Sequence, residues 1–144
     1  MEISSGVRPT ASSPRALFVD DDADTRDVYS SVAPVLGWHV YVVSEGPEAV
    51  LMATIVRPHV VVLDIRMPQV DGFETLRRLR ANRTTQEIPV VLVSASAPRV
   101  WADRLARCGC EAFLQKPYDL DTLDRTLRAL LPASGELREY RRSG

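Results

Sequence analysis

The sequence predicts an α/β domain built on a parallel sheet that helices cover on both faces. Three observations carry that prediction. Five short apolar runs, rich in β-branched residues, alternate with five segments of helical periodicity. Two of the runs, Val60–Leu63 and Ile88–Val93, are almost wholly apolar, as strands buried on both faces must be. Polar residues follow four of the runs at once, where the carboxyl ends of parallel strands open to solvent.

The chain has 144 residues, of which 45% are hydrophobic and 26% charged, which suits one soluble domain with a sizeable core. A net charge of -1 offers no reason for wholesale binding to nucleic acid or anionic membranes. No apolar run reaches the length of a membrane span, and MEISSGVRPTASSPR lacks the apolar centre of a signal peptide, so a cytoplasmic location is expected. Cys108 and Cys110 are separated only by Gly109, too close for a relaxed disulfide, and no Cys/His cluster completes a zinc site. Two reduced thiols near a helix end is the plain reading, and a redox role is the other.

Residues 1–14, rich in Ser, Pro, Thr and Ala, read as a disordered lead-in to a domain spanning residues 15–131. Ala16–Val19 is the first strand, followed by Asp20, Asp21 and Asp22. A helix starts near Asp24, with Val28, Val32, Val35 and Leu36 on one face. Pro34 should kink its last turn and Gly37 should end it. Trp38–Val43 is the second strand. Pro47 opens the next helix, whose apolar face is Ala49, Val50, Ala53 and Val56.

The third strand ends in a single carboxylate, Asp64, within the stretch VVVLDIRMPQVDG. Pro68 stiffens the loop that leaves it, and Asp71-Gly72 reads as a turn with an N-cap. The helix beyond carries Phe73, Leu76 and Leu79 on one side, with Arg77, Arg78, Arg80 and Arg83 read as a solvated face. The fourth strand ends in Ser94-Ala95-Ser96. Pro98 opens a helix in which Trp101, Leu105 and Cys108 share a face. Ala112–Leu114 is a short fifth strand, closed by Gln115-Lys116-Pro117. Leu120, Leu123, Leu127 and Leu130 mark the last helix, and Pro132 ends it. The tail, 132–144, is too short and polar to fold alone, so no DNA-binding domain is expected in this chain.

Asp20, Asp21, Asp22, Asp64, Ser94 and Lys116 thus all follow strands whose ends could share one cleft. Carboxylates that crowd together push their pKa values apart unless a cation sits among them. Mg2+ suits such a site, because it takes one or two carboxylates, keeps waters and leaves room for a phosphate oxygen. A metal, a lysine, a hydroxyl and a nucleophilic carboxylate are the parts of a phosphoryl-transfer site, with Asp64 as nucleophile. Taken singly, the Asp run could be a turn with an N-cap, Ser94 a loop hydroxyl, and Lys116-Pro117 no signal at all. Asp64 is harder to set aside, because a carboxylate closing a buried strand is costly without a partner.

The motifs LFVDDD, VVVLDIRMPQVDG, VVLVSAS and FLQKP, in this order and spacing, resemble the receiver domain of two-component response regulators. The likeness runs from about Arg15 to Leu131. It implies a flavodoxin-like (βα)5 three-layer sandwich with strand order 2-1-3-4-5. It implies that Asp64 accepts phosphate from a sensor histidine kinase or histidine phosphotransfer protein. Asp20 and Asp21 match the acidic pair that holds Mg2+, and Arg66 the position whose backbone carbonyl completes the metal site. Asp22 is an extra acid beside them. Lys116 matches the lysine that pairs with the phosphoryl group, Ser94 the switch hydroxyl, Ala95 the small residue beside it, and Phe113 the aromatic that turns inward. The resemblance implies a module that catalyses only its own phosphorylation and slow self-hydrolysis. Its fourth helix, fifth strand and fifth helix would be remodelled for a downstream protein target, with a homodimer through that surface left open.

Phe113 lacks the hydroxyl that Tyr would carry, and Pro34 is unusual in the first helix. Two readings from other classes stand beside this one. A haloacid-dehalogenase-like phosphatase would want a second Asp two residues after the nucleophile, where this chain has Arg66. A flavodoxin-like flavin binder would want a Ser/Thr/Gly-rich loop after the first strand, where this chain has DDDADT. A stand-alone receiver, a phosphorelay intermediate and a receiver cut from a larger regulator or hybrid kinase all fit the sequence.

Overall fold

The computed structural model describes residues 9–132, so residues 1–8 of the expected lead-in and 133–144 of the tail lie outside the described residues. Five parallel strands form one sheet: β1 (Arg15–Val19), β2 (His39–Val43), β3 (Val60–Asp64), β4 (Val90–Ser94) and β5 (Ala112–Gln115). Their order is β2-β1-β3-β4-β5. The connecting helices are α1 (Ala23–Val32), α2 (Gly46–Val56), α3 (Gly72–Ala81), α4 (Ala102–Cys108) and α5 (Leu120–Ala129). The architecture is the flavodoxin-like one expected.

Alternation along the strands builds two cores. Leu17, Val19, Val61, Leu63, Val90 and Leu92 face Ala49, Ala53, Phe73, Leu76 and Leu79 of α2 and α3. Ala16, Phe18, Val60, Val62, Val91 and Val93 face Tyr29, Ala33, Leu123 and Leu127 on the α1 and α5 side. All five residues of β3 and of β4 are buried, which is why those runs carry so few polar side chains.

The face of α1 differs from expectation. Val28 and Val35 are 53% and 45% exposed, while Tyr29 and Ala33 are buried. The reason is packing: the Tyr29 ring stacks on Phe18 at 4.1 Å, which turns the helix by one residue. Pro34 acts as expected, since the chain tightens into a 3-10 helix over Ala33–Leu36 and ends at Gly37, φ 97°. On α5, Leu123 and Leu127 are buried but Leu120 is exposed.

Two strands begin later than their sequence suggests. Trp38 precedes β2 and is buried, its indole N–H bonded to Asp124 Oδ1 at 3.0 Å. Ile88 and Pro89 precede β4, with the Pro89 carbonyl accepting from Val61 N–H at 3.0 Å. Ahead of β1, Pro14 is buried and its carbonyl accepts from His39 N–H at 2.9 Å.

The arginine face of α3 divides in two. Arg77 and Arg78 pair with Glu74 of the same helix at 2.8 and 2.9 Å, on the surface. Arg80 is instead a clamp, donating to the Ile88 carbonyl at 2.7 Å, the Gly109 carbonyl at 2.9 Å and Glu111 at 2.8 Å. Glu111 in turn accepts from Val90 N–H at 2.7 Å, so this pair ties the start of β4 to the start of β5.

Candidate functional site

The carboxyl ends of β1 and β3 lie side by side because Val19 pairs with Leu63 in register. That register sets Asp20 against Asp64. Both are nearly enclosed, 2% and 8% exposed, while Asp21 faces solvent. One oxygen from each of Asp20, Asp21 and Asp64 lies within 4.8 Å of the others, and among the described residues this is the one such acidic group. β5 lies two strands away from β3, yet its exit loop returns across the cleft. Lys116 Nζ sits 2.9 Å from Asp20 Oδ2 and 3.8 Å from Asp64 Oδ1.

The three adjacent aspartates do three different things. Asp22 is the N-cap of α1, accepting from Thr25 N–H at 2.9 Å and Thr25 Oγ1–H at 2.7 Å, which holds its carboxyl below the usual range. Asp20 turns inward, and its Oδ1 accepts from Asp22 N–H at 2.9 Å. Arg26 Nη1 binds the Asp20 carbonyl at 2.9 Å and steadies the turn. Asp21 is left to face the cleft mouth. The turn-and-cap reading of this run thus holds at Asp22, while Asp20 and Asp21 lie together with Asp64.

Burial, and after it the charge of Asp20, push the Asp64 carboxyl up to about 6. Burial alone would lower the Lys116 ammonium, but its hydrogen bond to Asp20 and the charges of Asp64 and Asp20 outweigh that and raise it. One lysine leaves the negative charge of three carboxylates incompletely balanced. The hard oxygen donors, their closeness and the raised Asp64 pKa fit a small divalent cation such as Mg2+.

Ser94 closes β4, buried and 1% exposed. Its Oγ accepts from Ser96 N–H at 3.0 Å and from Trp101 Nε1–H at 3.1 Å. Lys116 N–H bonds the Ser94 carbonyl at 2.9 Å, so the lysine and the hydroxyl come from paired strand ends. Phe113 stands half-buried on β5, opposite Leu92, at the edge of the α2–α3 core. Ala95 is exposed. Arg66 is exposed just beyond β3, its guanidinium 5.0 Å from the Trp101 ring.

Sequence reasoning passed over Trp101 as a polar partner. It placed the residue on an apolar face, which is also true, since Trp101 packs on the core beside Leu105 and Cys108. Nothing in the sequence signals an indole N–H reaching back seven residues. The hydroxyls of Tyr29 and Tyr118 also hydrogen-bond to each other next to Lys116, another pairing without a sequence signal.

The profile of the response regulator receiver domain family matches residues 16–128, and the chain belongs to that family. It is therefore a two-component receiver domain, a signalling module. Among curated proteins, Regulatory protein AtoC of Escherichia coli is 32% identical over 88% of this chain and 27% of its own length. Transcriptional regulatory protein PrrA of Mycobacterium tuberculosis is 37% identical over 85% of this chain and 52% of its own length. The chain thus spans about half or less of these relatives.

Among solved structures, chemotaxis protein CheY4 of Vibrio cholerae superposes with TM-score 0.78 at 26% identity, over 83% of this chain and 99% of that one. The receiver domain of sensor histidine kinase PA1611 from Pseudomonas aeruginosa has TM-score 0.76 at 26% identity, over 82% and 97% of the two chains. That structure carries a magnesium ion coordinated in its active site cleft. No helix among the described residues here is long and apolar enough to cross a membrane.

Proposed function

We propose that Asp64 accepts a phosphoryl group from a sensor histidine kinase or a histidine phosphotransfer protein, in a Mg2+-dependent reaction, and that the domain then presents a changed α4-β5-α5 surface to a downstream protein. The observation that carries this reading is the convergence of Asp20, Asp21 and Asp64 within 4.8 Å, with Lys116 bridging Asp20 and Asp64.

The ionised Asp64 carboxylate attacks phosphorus. The P–N bond to the donor histidine breaks, its electron pair stays on the imidazole nitrogen, and an acyl phosphate remains on Asp64. Lys116 pairs with the new phosphoryl oxygens as a mobile point charge and loosens from Asp20. Asp20, Asp21, Asp64 and the Arg66 carbonyl would hold Mg2+, which supplies a Lewis acid for those oxygens. Ser94 donates its hydroxyl to the phosphoryl group, and Phe113 rotates into the space vacated. The added charge is local, and the response is a shift between two states of the surface.

A cavity of about 260 Å3 lies beside Lys116, lined by Val28, Tyr29, Val32, Pro117, Tyr118 and Leu120. Its exposed Val28 and Leu120 offer a partner an apolar seat beside Lys116. This supports docking of the histidine donor against α1 and the start of α5.

The test is incubation with acetyl phosphate and Mg2+ followed by intact-mass analysis. One acid-stable, base-labile phosphoryl group is expected on the wild type and none on Asp64→Asn. Label that persists in Asp64→Asn overturns the assignment of the acceptor. Generic phosphomonoesters should not turn over, as Arg66 stands where a phosphatase of the haloacid-dehalogenase type would place its second Asp.

The greater length of the curated relatives supports a second reading, in which this sequence is the receiver part of a larger regulator or hybrid kinase, or a relay intermediate. A relay would pass label from Asp64 to an added histidine phosphotransfer protein. A terminal receiver would keep it.

A further inference from the structure

We propose that Trp101 is a positioning residue of the switch, whose indole N–H holds the Ser94 hydroxyl in the resting state and releases it when Asp64 is phosphorylated. This rests on the switch reading given above. Ser94 Oγ accepts from Ser96 N–H and from Trp101 Nε1–H, at 3.0 and 3.1 Å. A hydroxyl oxygen has two lone pairs, so both are engaged, and neither donor belongs to the acidic cleft. Ser94 is buried, so water competes poorly for either bond.

The two donors differ in what they attach to. Ser96 lies two residues along the same loop and travels with Ser94. Trp101 ends the 3-10 helix Pro98–Trp101, which feeds directly into α4. Its ring sits 5.6 Å from Phe73 at an interplanar angle of 57°, and 5.0 Å from the Arg66 guanidinium. Arg104 of α4 lies 4.0 Å from the Phe73 ring. The single hydrogen bond to Ser94 therefore joins the end of β4 to a stack made of Arg66, Trp101, Phe73 and Arg104.

That bond carries weight because α4 is weakly held. The helix is seven residues long and has no fully buried residue. Apart from Trp101 at its entrance, Leu105 and Cys108 are its half-buried contacts with the core. When Ser94 turns toward the phosphoryl group, the indole loses its acceptor. The turn at Pro98–Trp101 and α4 are then free to move, and the stack against Arg66, two residues from Asp64, opens with them. Trp101 thus biases the resting state, and phosphorylation must overcome that bias.

The experiment uses the full chain with acetyl phosphate and Mg2+, comparing wild type, Trp101→Phe, Ser94→Ala and the double variant. Phe keeps an aromatic ring against Phe73 and removes the donor together with part of the indole's area, a packing loss that the Ser94→Ala background shares and so cancels in the comparison. Trp101→Phe should accelerate labelling of Asp64 by about three- to tenfold, the weight of one neutral hydrogen bond. It should have no effect in the Ser94→Ala background. Equal rates for wild type and Trp101→Phe, or the same acceleration without the Ser94 hydroxyl, would make Trp101 a packing residue and overturn the proposal.

A second readout leaves Trp101 intact. In Ser94→Ala the Trp101 indole proton, seen by 15N NMR, should exchange with solvent about tenfold faster than in the wild type. Unchanged exchange overturns the proposal as well. If the folded wild type takes no label, the function reading fails and the latch has nothing to release. If the wild type is labelled and Trp101→Phe behaves identically, only the latch fails.

Discussion

Asp64 governs the pH response of the cleft. Its carboxyl titrates at about 6, raised chiefly by burial and then by Asp20, against an ordinary value of 3.8. The folded chain thus binds this proton more tightly than the unfolded chain does. The stability it contributes is full below about pH 4 and is lost as pH rises through about 6. Asp64→Asn cannot ionise and should stabilise the fold by about 1–2 kcal/mol at pH 8, a value reduced because the cleft mouth is hydrated. At pH 3.5 the two proteins should unfold alike, and urea titrations at both pH values check this. With Asp64 as the proposed nucleophile the carboxyl must be ionised, so labelling at limiting Mg2+ should fall as pH drops below about 6. Lys116→Ala removes the lysine that pairs with both Asp20 and Asp64, and the initial labelling rate should fall at least about tenfold by intact-mass kinetics.

At the scale of the element, the entrance of α3 decides where the end of β3 sits. Gly72 has no freedom to carry a side chain, since a Cβ there would lie 2.5 Å from the Asp64 carbonyl oxygen and 2.8 Å from Ile65 Cα. Both are backbone atoms and cannot swing aside. Gly72→Ala should cost about 1–3 kcal/mol and slow labelling of Asp64, because β3 itself must shift. Asp71→Ala removes the cap on Glu74 N–H, 2.9 Å away, and should cost about 1 kcal/mol with less effect on labelling. Thermal unfolding and labelling measured on the same two variants separate the effects. The helices also show where periodicity alone misleads. In α1 the valines suggested one face, but the large ring of Tyr29 on Phe18 selected another. In α3 a run of arginines read as solvated, yet Arg80 closes three contacts around the start of β4.

For the whole molecule, the site exists only because four chain segments, far apart in sequence, end at one edge of the sheet. A ligand that bridges separate segments, as Mg2+ would bridge the ends of β1 and β3, should stabilise the entire fold by mass action. Mg2+ at a hundred times its Kd should add about 2.7 kcal/mol to unfolding. That gain should shrink markedly in Asp20→Asn, which differential scanning calorimetry with and without Mg2+ would read. A gain of equal size in Asp20→Asn would place the ion elsewhere.

The alternation of strand and helix, the buried character of β3 and β4, and the residue types at the strand ends are all legible in the sequence. These are local properties: apolar runs, turn chemistry and side-chain period leave their mark within a few residues. It also made Asp64 conspicuous, because a carboxylate at the end of an apolar run needs a partner. Where each acid sits depends on the three-dimensional fold, with Asp20 inward, Asp21 at the mouth and Asp22 capping α1. Only the fold set Lys116 against Asp20, brought Tyr29 to Tyr118, and gave the Ser94 hydroxyl to Trp101. Such pairings depend on register and helix rotation. Those are selected by packing across the sheet, and a linear pattern of residue types does not encode the distance between side chains on different elements.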